Sequence, residues 1–215
     1  MVVEGKKLRG SNFMRKFNDQ YSLVRMFHAV PEGDAVDVYV DGSPFFRNLN
    51  FTEFSPYIYI PEGTYEIAVY LADTVENPLV MHDIELDAGT LVTIAVNGNL
   101  NDIELLKIEE DMDDATGNNS KVRAVHLAPS SPEINVIADG QMLFRNVEFR
   151  DVTDYKEVAP KVYDVDIETS QGNRLIRSNQ VTINPNRVYT FYAVGNIPNV
   201  QIIQSLDGAT FMEQS

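Results

Sequence analysis

The chain has 215 residues, of which 44% are hydrophobic and 10% aromatic, so it is long and apolar enough to form one large domain or two small ones. Its formal net charge is -15, and an acidic surface repels phosphate backbones, which argues against binding to nucleic acid. The chain contains no cysteine, so disulfide bonds, thiolate metal sites and cysteine nucleophiles are excluded.

Residues 1–21 are predicted to form a basic N-terminal tail. Five of the 17 basic residues lie within the first 16 positions: Lys6, Lys7, Arg9, Arg15 and Lys16. No segment of the chain approaches the roughly 20 consecutive apolar residues of a membrane-spanning helix, and no signal peptide is visible. We therefore expect a solvated tail ahead of the folded part and no transmembrane segment.

Residues 22–108 are predicted to form a first β-domain. Val36, Val38 and Val40 alternate with other residue types, and this period of two is typical of a strand with one buried face. Asp41-Gly42 follows, and this dipeptide between two apolar segments is the strongest short-range signal for a β-hairpin. Turn signals recur about every 8 to 12 residues, which favours a β-sandwich of about seven strands.

Residues 109–121 are predicted to form an acidic linker. Five of the six residues from Glu109 to Asp114 are acidic, and turn-forming residues follow them. The order of the acids lacks the Asp-x-Asp-x-Asp-Gly spacing of a calcium-binding EF-hand loop. We therefore expect an exposed, solvated linker and no metal site in it.

The second half of the chain repeats the first. Residues 24–69 align without a gap on residues 122–167 at a constant shift of 98, and 13 of the 46 aligned pairs are identical. The repeat predicts a second β-domain over residues 122–215 with the same architecture as the first. The fold class is therefore predicted to be all-β, with two tandem antiparallel β-sandwich domains.

One arginine and histidine pattern recurs in both halves. It reads Arg25-x-x-His28-x-x-Pro31 in the first half, and Arg123, His126 and Pro129 repeat it. A histidine beside a carboxylate can act as a general base, so His28 and Asp37 form a candidate pair. However, Asn135 replaces the aspartate in the second half, and no serine lies in a Gly-x-Ser-x-Gly turn. We therefore favour a structural role in which these side chains bind loop carbonyls.

Other site types find little support in the sequence. The chain has only three histidines, and none is spaced from another as in a metal site. Glycine-rich phosphate-binding loops are absent. We expect no metal site, no cofactor and no catalytic residue, and we keep Arg25, His28 and Asp37 as candidate contacts for an unidentified ligand.

Exposed aromatic residues suggest a second candidate surface, because flat aromatic faces stack on sugar rings. The first half offers Tyr39, Phe45, Tyr57 and Tyr59, of which only Tyr57 has a clear counterpart in the second half, Tyr155. Tyr39, Tyr57 and Tyr59 are therefore candidate ligand contacts. The alternative is that Tyr57 and Tyr59 pack a second sheet.

The motif Val24-Arg25-x-x-His28-Ala29-x-Pro31, followed by Val36-Asp37-Val38-Tyr39-Val40-Asp41-Gly42, resembles the opening signature of the domain-of-unknown-function family 4397. The second half shows the same signature, with Asn135 and Ile137 in place of the aspartate and the tyrosine. The resemblance covers nearly the whole chain after the basic tail. It implies tandem immunoglobulin-like sandwich domains of exported or cell-surface bacterial proteins, without an agreed activity.

The leading hypothesis is a non-enzymatic interaction or scaffold protein of the cell envelope or surface, built from two tandem immunoglobulin-like antiparallel β-sandwich domains. Its partner would be a protein or a cell-envelope glycan, and its oligomeric state is left open. Two alternatives remain. One is a carbohydrate-binding module that uses the aromatic residues of the first domain, and the other is a hydrolase that uses His28 and Asp37.

Overall fold

The computed structural model describes residues 20–111, 113 and 115–208. Positions 1–19 of the predicted basic tail lie outside these residues, and the first strand begins at Tyr21. The described residues form sixteen β-strands and no helix, eight strands in each half of the chain.

The first half folds into two four-stranded sheets. Its strands are β1 (Tyr21–His28), β2 (Val36–Val40), β3 (Ser43–Leu49), β4 (Ile58–Pro61), β5 (Gly63–Leu71), β6 (Val80–Leu86), β7 (Leu91–Asn99) and β8 (Asp102–Glu109). The sheet orders are β4-β1-β7-β8 and β3-β2-β5-β6. Neighbouring strands are antiparallel except for β1 and β7, which run parallel.

The second half repeats this topology. Its strands are β9 (Ser120–Leu127), β10 (Ile134–Ala138), β11 (Gln141–Val147), β12 (Lys156–Val158), β13 (Val162–Thr169), β14 (Arg174–Thr182), β15 (Val188–Val194) and β16 (Gln201–Leu206). The sheet orders are β12-β9-β15-β16 and β11-β10-β13-β14, and β9 runs parallel to β15. The two tandem β-sandwiches predicted from the sequence are confirmed.

Each sandwich has its own apolar core between its two sheets. Val36 and Val38 face the first core, as their alternation predicts, and Ile134 and Val136 face the second. The Asp-Gly dipeptides form the predicted β2–β3 and β10–β11 turns. In the first of these turns Asp41 and Gly42 have φ of 47° and 71°, the left-handed conformation that a two-residue type I′ turn requires.

The strand order departs in detail from the expectation. Each domain has eight strands rather than about seven, and the parallel β1–β7 and β9–β15 pairs make the sheets mixed rather than wholly antiparallel. In immunoglobulin domains the first two strands share a sheet, whereas here β1 and β2 lie in opposite sheets. Periodicity identifies the strands, but long-range hydrogen bonds decide which of them pair.

The central strands of the sheets β4-β1-β7-β8 and β12-β9-β15-β16 are buried on both faces. In β1, Val24 and Met26 point into the core of their own domain, whereas Phe27 belongs to a separate cluster that both domains build. In β9, Ala124 points into the core of the second domain, whereas Val125 belongs to the cluster that both domains build. The sheets β4-β1-β7-β8 and β12-β9-β15-β16 therefore each have one face on their own core and one face on the other domain.

Candidate functional site

An apolar cluster fills the interface between the two domains. Phe27 is fully buried at its centre, stacked on Phe54 with ring centroids 4.0 Å apart and tilted against Tyr192 at 4.8 Å. The buried members from both domains are Phe27, Ala29, Ala95, Ile108, Val125, Leu127, Tyr192 and Val194. Burying one such large side chain stabilises the folded state by about 1.5–3 kcal/mol, so the cluster holds the domains together.

Arg25 brings a buried positive charge into this interface. Its Nε donates to Thr93 Oγ1 at 2.7 Å and its Nη2 donates to Glu110 Oε1 at 2.9 Å. The same Nη2 lies 3.6 Å from Asp207 Oδ1, which belongs to the second domain. The guanidinium carbon also lies 4.4 Å from the centre of the Phe54 ring, a cation–π contact. Arg25 thus links carboxylates of both domains.

Arg123 repeats this arrangement from the second domain. Its Nε donates to Thr190 Oγ1 at 2.9 Å and its Nη1 donates to the carbonyl of Glu109 in the first domain at 2.7 Å. Its Nη2 lies 4.0 Å from Asp207 Oδ2, and its guanidinium carbon lies 4.5 Å from the centre of the Tyr155 ring. Both recurring arginines of the sequence motif therefore serve the contact between the domains.

Tyr57 and Tyr155 make the interface reciprocal. Each hydroxyl donates to the buried carboxylate of its own domain, at 2.5 Å from Tyr57 and 2.7 Å from Tyr155. Each hydroxyl also accepts a backbone N–H from the other domain, that of Gly208 at 3.2 Å for Tyr57 and that of Asp111 at 3.3 Å for Tyr155. Reciprocal contacts of this kind are typical of a two-fold symmetric interface. Here such an interface forms between the two halves of one chain.

Burial and neighbouring charges shift the pKa values of several side chains in this network. The loss of solvation and the charge of Glu110 raise the pKa of Asp207 to about 7. Burial alone would lower the pKa of Arg25, but the neighbouring Glu110 carboxylate holds it above its ordinary value. Burial also raises the pKa of Tyr57 and of Tyr155. Both phenols therefore stay protonated and act as donors.

The raised pKa of Asp207 makes the stability of the protein depend on pH. An aspartate in an unfolded chain has a pKa of about 3.9, whereas that of folded Asp207 is about 7. Between these two pH values the folded state binds more protons than the unfolded state does. The contribution of Asp207 to the free energy of unfolding is therefore present at about pH 4 and is lost as the pH rises to about 7. Burial lowers the pKa of His28 and of His126, which gives the opposite slope below about pH 6.5.

Asp207→Asn separates these effects, because the amide does not titrate and both histidines remain. We expect the free energy of unfolding of the wild type, relative to that of the variant, to fall by at least about 1 kcal/mol between about pH 4 and pH 7. Urea unfolding of both chains across this range measures the difference. A difference that is constant with pH would contradict the assignment.

Arg150 adds a contact at the rim of the interface. Its Nε donates to Asn97 Oδ1 of the first domain at 2.8 Å, and its Nη1 lies 3.0 Å from Glu104 Oε2. At the shift of 98, Thr52 occupies the matching position in the first domain. The rim therefore departs from the two-fold arrangement of the interior.

The two recurring histidines anchor the loop that follows the first strand of each domain. His28 Nδ1 accepts the backbone N–H of Val30 at 3.3 Å, and because that nitrogen is an acceptor, Nε2 carries the proton that is donated to the Asp34 carbonyl at 3.1 Å. His126 makes the same two bonds to its own loop at 3.2 and 3.1 Å. The prediction that the motif side chains bind loop carbonyls holds for both histidines. It is wrong for Arg25, which bonds the side chains of Thr93 and Glu110 instead.

Asp37 is engaged by backbone rather than by histidine. Its Oδ1 accepts the N–H of Asn48 at 2.8 Å and its Oδ2 accepts that of Asp73 at 3.2 Å. Asn135 accepts the bond equivalent to the first of these at 2.9 Å. Since both oxygens of Asp37 and both ring nitrogens of His28 bond other groups, the structure does not orient these two residues as an acid–base pair.

The different environments of Asp37 and Asn135 lead to a stability prediction. Asp37→Ala removes the acceptor of two backbone N–H groups at a buried position, and an unsatisfied buried donor costs about 1–3 kcal/mol. Asn135→Ala removes one such bond at a half-buried position, so we expect a smaller loss. Chemical denaturation of the two variants tests the order, and an equal or larger loss for Asn135→Ala would contradict it.

The six candidate ligand contacts lie in different parts of the molecule. Arg25 and Tyr57 meet in the interface, with the guanidinium carbon 4.5 Å from the ring centre. Tyr39 is only 8% exposed and packs edge-on against another tyrosine ring at 5.2 Å. Tyr59 is 55% exposed and lies edge-on to Tyr21 at 6.3 Å. His28 and Asp37 form their hydrogen bonds inside the first domain. Tyr59 is therefore the most accessible of the six residues. Contact between these residues and a ligand stays a prediction.

A pocket of about 100 Å³ opens at the end of the first domain beside His28. Its walls are aliphatic, and they include Val30, Val36, Leu71, Leu79, Val96, Leu100 and Ile103. Glu32 and Asp34, from the loop that His28 anchors, also line it and are exposed to solvent. The pocket is thus apolar inside and acidic on one side.

Sequence reasoning missed the two carboxylates of the interface. Glu110 was expected in an exposed linker, but it is 7% exposed because the second domain covers the end of β8 and Arg25 supplies the opposite charge. The sequence does contain a signal that could have identified these two carboxylates. At a shift of 97, Glu110 aligns with Asp207 and Thr93 aligns with Thr190, so both partners of the arginine recur in the two halves.

The described residues hold no group of three or more histidine, cysteine, aspartate or glutamate side chains arranged to bind a metal ion. Within the same part of the chain, no helix is long and apolar enough to cross a membrane.

Comparison with solved structures finds distant likenesses. The chain is 9% identical to the Bacillus anthracis TIE protein (TM-score 0.28), with 81% of this chain and 34% of that one covered, so it spans about a third of that protein. It is 8% identical to a family CBM26 module from Eubacterium rectale Amy13K, solved in complex with maltoheptaose (TM-score 0.26; 88% and 99% covered). It is 12% identical to the fimbrial anchor protein Mfa2 from Porphyromonas gingivalis (TM-score 0.21; 87% and 98% covered). Likenesses of this size carry no inference about function.

Comparison with curated proteins finds no match. One family model, described as "Domain of unknown function (DUF4397)", matches residues 22–137 and 120–210. These two segments cover most of the chain, and they confirm the resemblance that the recurring arginine, histidine and Asp-Gly signature indicates. The chain therefore belongs to the family Domain of unknown function (DUF4397), in a tandem arrangement.

Proposed function

We propose that the protein is a non-enzymatic interaction or scaffold module of the bacterial cell envelope or surface. The observation that carries this proposal is the buried interface, in which Arg25, Glu110, Tyr57 and their counterparts join the two sandwiches. Such an interface holds two surfaces at a constant relative position, which suits a scaffold. The envelope location comes from the family resemblance.

The hydrolase alternative finds no support in the geometry. A general base must reach the proton that it abstracts, and its orienting partner must contact it. His28 instead uses both ring nitrogens to hold its own loop, and Asp37 accepts two backbone N–H groups. Burial also lowers the pKa of His28, in keeping with a neutral ring that serves the loop.

Localisation and partner capture in the native organism test the proposal. We expect the protein in the envelope fraction, accessible to an added protease on intact cells, and chemically cross-linked to the same partners in the wild type and in Asp37→Asn. Recovery in the cytosolic fraction would overturn the envelope assignment. A substrate turned over by the wild type and not by Asp37→Asn, at equal folded fraction, would overturn the non-enzymatic assignment.

Carbohydrate binding is a second candidate, favoured by the exposure of Tyr59 beside Tyr21 on the edge of the first domain. Aromatic rings placed in this way can stack on sugar rings. Tyr57 is not part of this surface, because it bonds Glu110 in the interface. Binding on a glycan array that is lost in Tyr59→Ala and kept in Phe45→Ala would support this function. Absence of glycan binding by the wild type would exclude it.

A further inference from the structure

We infer that the pocket beside His28 is a docking site for an aliphatic side chain carried by a basic peptide segment of a partner protein. This inference rests on the proposed function and deepens it, because it names the chemistry of one partner. We call this cavity the end pocket, and its lining includes Val30, Glu32, Asp34, Val36, Leu71, Leu79, Val96, Leu100 and Ile103.

The size and walls of the end pocket fit one aliphatic side chain. Its volume is about 100 Å³, whereas a buried cavity of about 150 Å³ with similar walls accepts benzene. Val36 and Val96 form a floor that is fully buried in the first core. Leu71 and Leu100 remain 41% and 57% exposed, so apolar surface continues from the pocket to solvent. An aliphatic group that enters would remove this surface from water.

The charges around the end pocket favour a cationic partner. Glu32 and Asp34 line it and are exposed, and no lysine or arginine is among its lining residues. His28 adds no positive charge, because its Nδ1 accepts an N–H and its remaining proton is donated to a carbonyl. A basic segment would meet complementary charge here, and residues 21–215 repel acidic segments, since 12 basic and 30 acidic residues give them a net charge of -18.

The loop that carries the acids is held in a defined conformation. Glu32 has a left-handed φ of 61°, which is uncommon for a residue other than glycine. Its Oε1 accepts a long hydrogen bond of 3.4 Å from Asn196 Nδ2 of the second domain. Together with the anchor at His28, these contacts place the carboxylate beside the pocket before any partner arrives, which reduces the entropy lost on binding.

The second domain provides an internal comparison. At the shift of 98, Ser130 and Pro132 replace Glu32 and Asp34, and Thr169 replaces Leu71. Ser130 Oγ instead accepts the backbone N–H of Ile197 at 2.8 Å. The two acids and Leu71 are therefore features of the first domain that the shared fold does not require, as expected of residues with a binding role, whereas Leu100 is matched by Ile197 at the shift of 97.

Titration of the full chain with short peptides, followed through the methyl NMR signals of valine and leucine, tests the inference. The probe is the acetylated peptide Lys-Lys-Leu-Lys-Lys, compared with Glu-Glu-Leu-Glu-Glu and Lys-Lys-Gly-Lys-Lys. We expect the first peptide to shift the signals of Val36, Leu79 and Val96 with saturation, the acidic peptide to shift none of them, and the glycine peptide to bind more weakly.

Two variants and one matched control sharpen the test. Glu32→Gln combined with Asp34→Asn is expected to weaken binding of the basic peptide about fivefold at low salt, since exposed charge pairs each contribute little. Leu100→Ser is expected to weaken it about threefold or more. Ile197→Ser, an equivalent change at an exposed position of the second domain, should leave binding unchanged. All these positions are exposed, so the variants should fold.

Several outcomes would overturn the inference. These are equal shifts with the acidic peptide, unchanged affinity in the Glu32→Gln and Asp34→Asn chain, or equal effects of Leu100→Ser and Ile197→Ser. Signals of the end pocket that shift when residues 1–19 are deleted, with no peptide present, would assign the pocket to the basic residues at the start of this same chain instead of to an external partner. Envelope partners captured by a chain whose end pocket binds no peptide would leave the proposed function standing while this inference fails.

Discussion

Replacing Arg25 with alanine is expected to lower the free energy of unfolding by about 3–5 kcal/mol, because removing one partner of a buried ion pair leaves an uncompensated charge. Arg25 Nη2 is the cation that contacts both Glu110, at 2.9 Å, and Asp207, at 3.6 Å. The side chains of both acids are fully buried, so the carboxylates lose the guanidinium at a site away from bulk solvent. Chemical denaturation followed by circular dichroism measures the loss.

The matched control is Arg47→Ala, the same substitution at an exposed arginine of the first domain. A surface change of this kind is expected to stay within about 0.5 kcal/mol. A double-mutant cycle with Glu110→Gln then isolates the pair, because removing the acid should recover part of the loss caused by Arg25→Ala. Equal effects of Arg25→Ala and Arg47→Ala would show that the buried network does not stabilise the fold.

Replacing Gly98 with alanine is expected to destabilise the first domain by more than about 4 kcal/mol, the range reached by severe backbone conflicts. Gly98 lies near the end of β7 with φ of 111°, and a Cβ at this position would lie 2.0 Å from the carbonyl oxygen of Asp102. The hairpin backbone must therefore move. Thermal unfolding of the full chain, with NMR spectra to locate the disturbed domain, tests this result.

Two other glycines serve as comparisons for Gly98→Ala. Gly195, at the matching position of the second domain, has φ of 96° and would bring a Cβ within 2.5 Å of the Asn199 carbonyl oxygen, so a large but smaller loss is expected. Gly42 has φ of 71° with no atom near its missing Cβ. Its replacement should cost only about 1 kcal/mol of backbone strain. Gly98→Ala as mild as Gly42→Ala would contradict the prediction.

Much of the fold follows from local patterns. The alternation at Val36 and Val38 and the turn at Asp41-Gly42 predict a hairpin, and the repeat predicts a second copy of it. These inferences hold because side chains on successive strand residues point to opposite faces, and because Asp and Gly tolerate the positive φ of a tight turn. The parallel pairing of β1 with β7 was not predicted, since it joins segments separated by more than 60 residues.

The candidate site was recognised only in part from the sequence. Arg25 and His28 stand out because they recur together, and the loop-anchoring role of His28 is confirmed. The partners of Arg25 were not identified, because Glu110 lies within a run of acids and Asp207 lies near the other end of the chain. Charge alone does not distinguish a solvated carboxylate from one that a second domain covers.

The sequence by itself determined that the protein is two copies of one β-sandwich, since strand periodicity, turn dipeptides and the repeat are all local or internal properties of the chain. Only the tertiary structure decided that the sheets β4-β1-β7-β8 and β12-β9-β15-β16 face each other. Periodicity shows that Arg25 and Phe27 share one face of β1, but it does not show what covers that face. Burial depends on contacts between residues far apart in the chain, such as Arg25 and Asp207, and those contacts exist only once both domains have folded and packed.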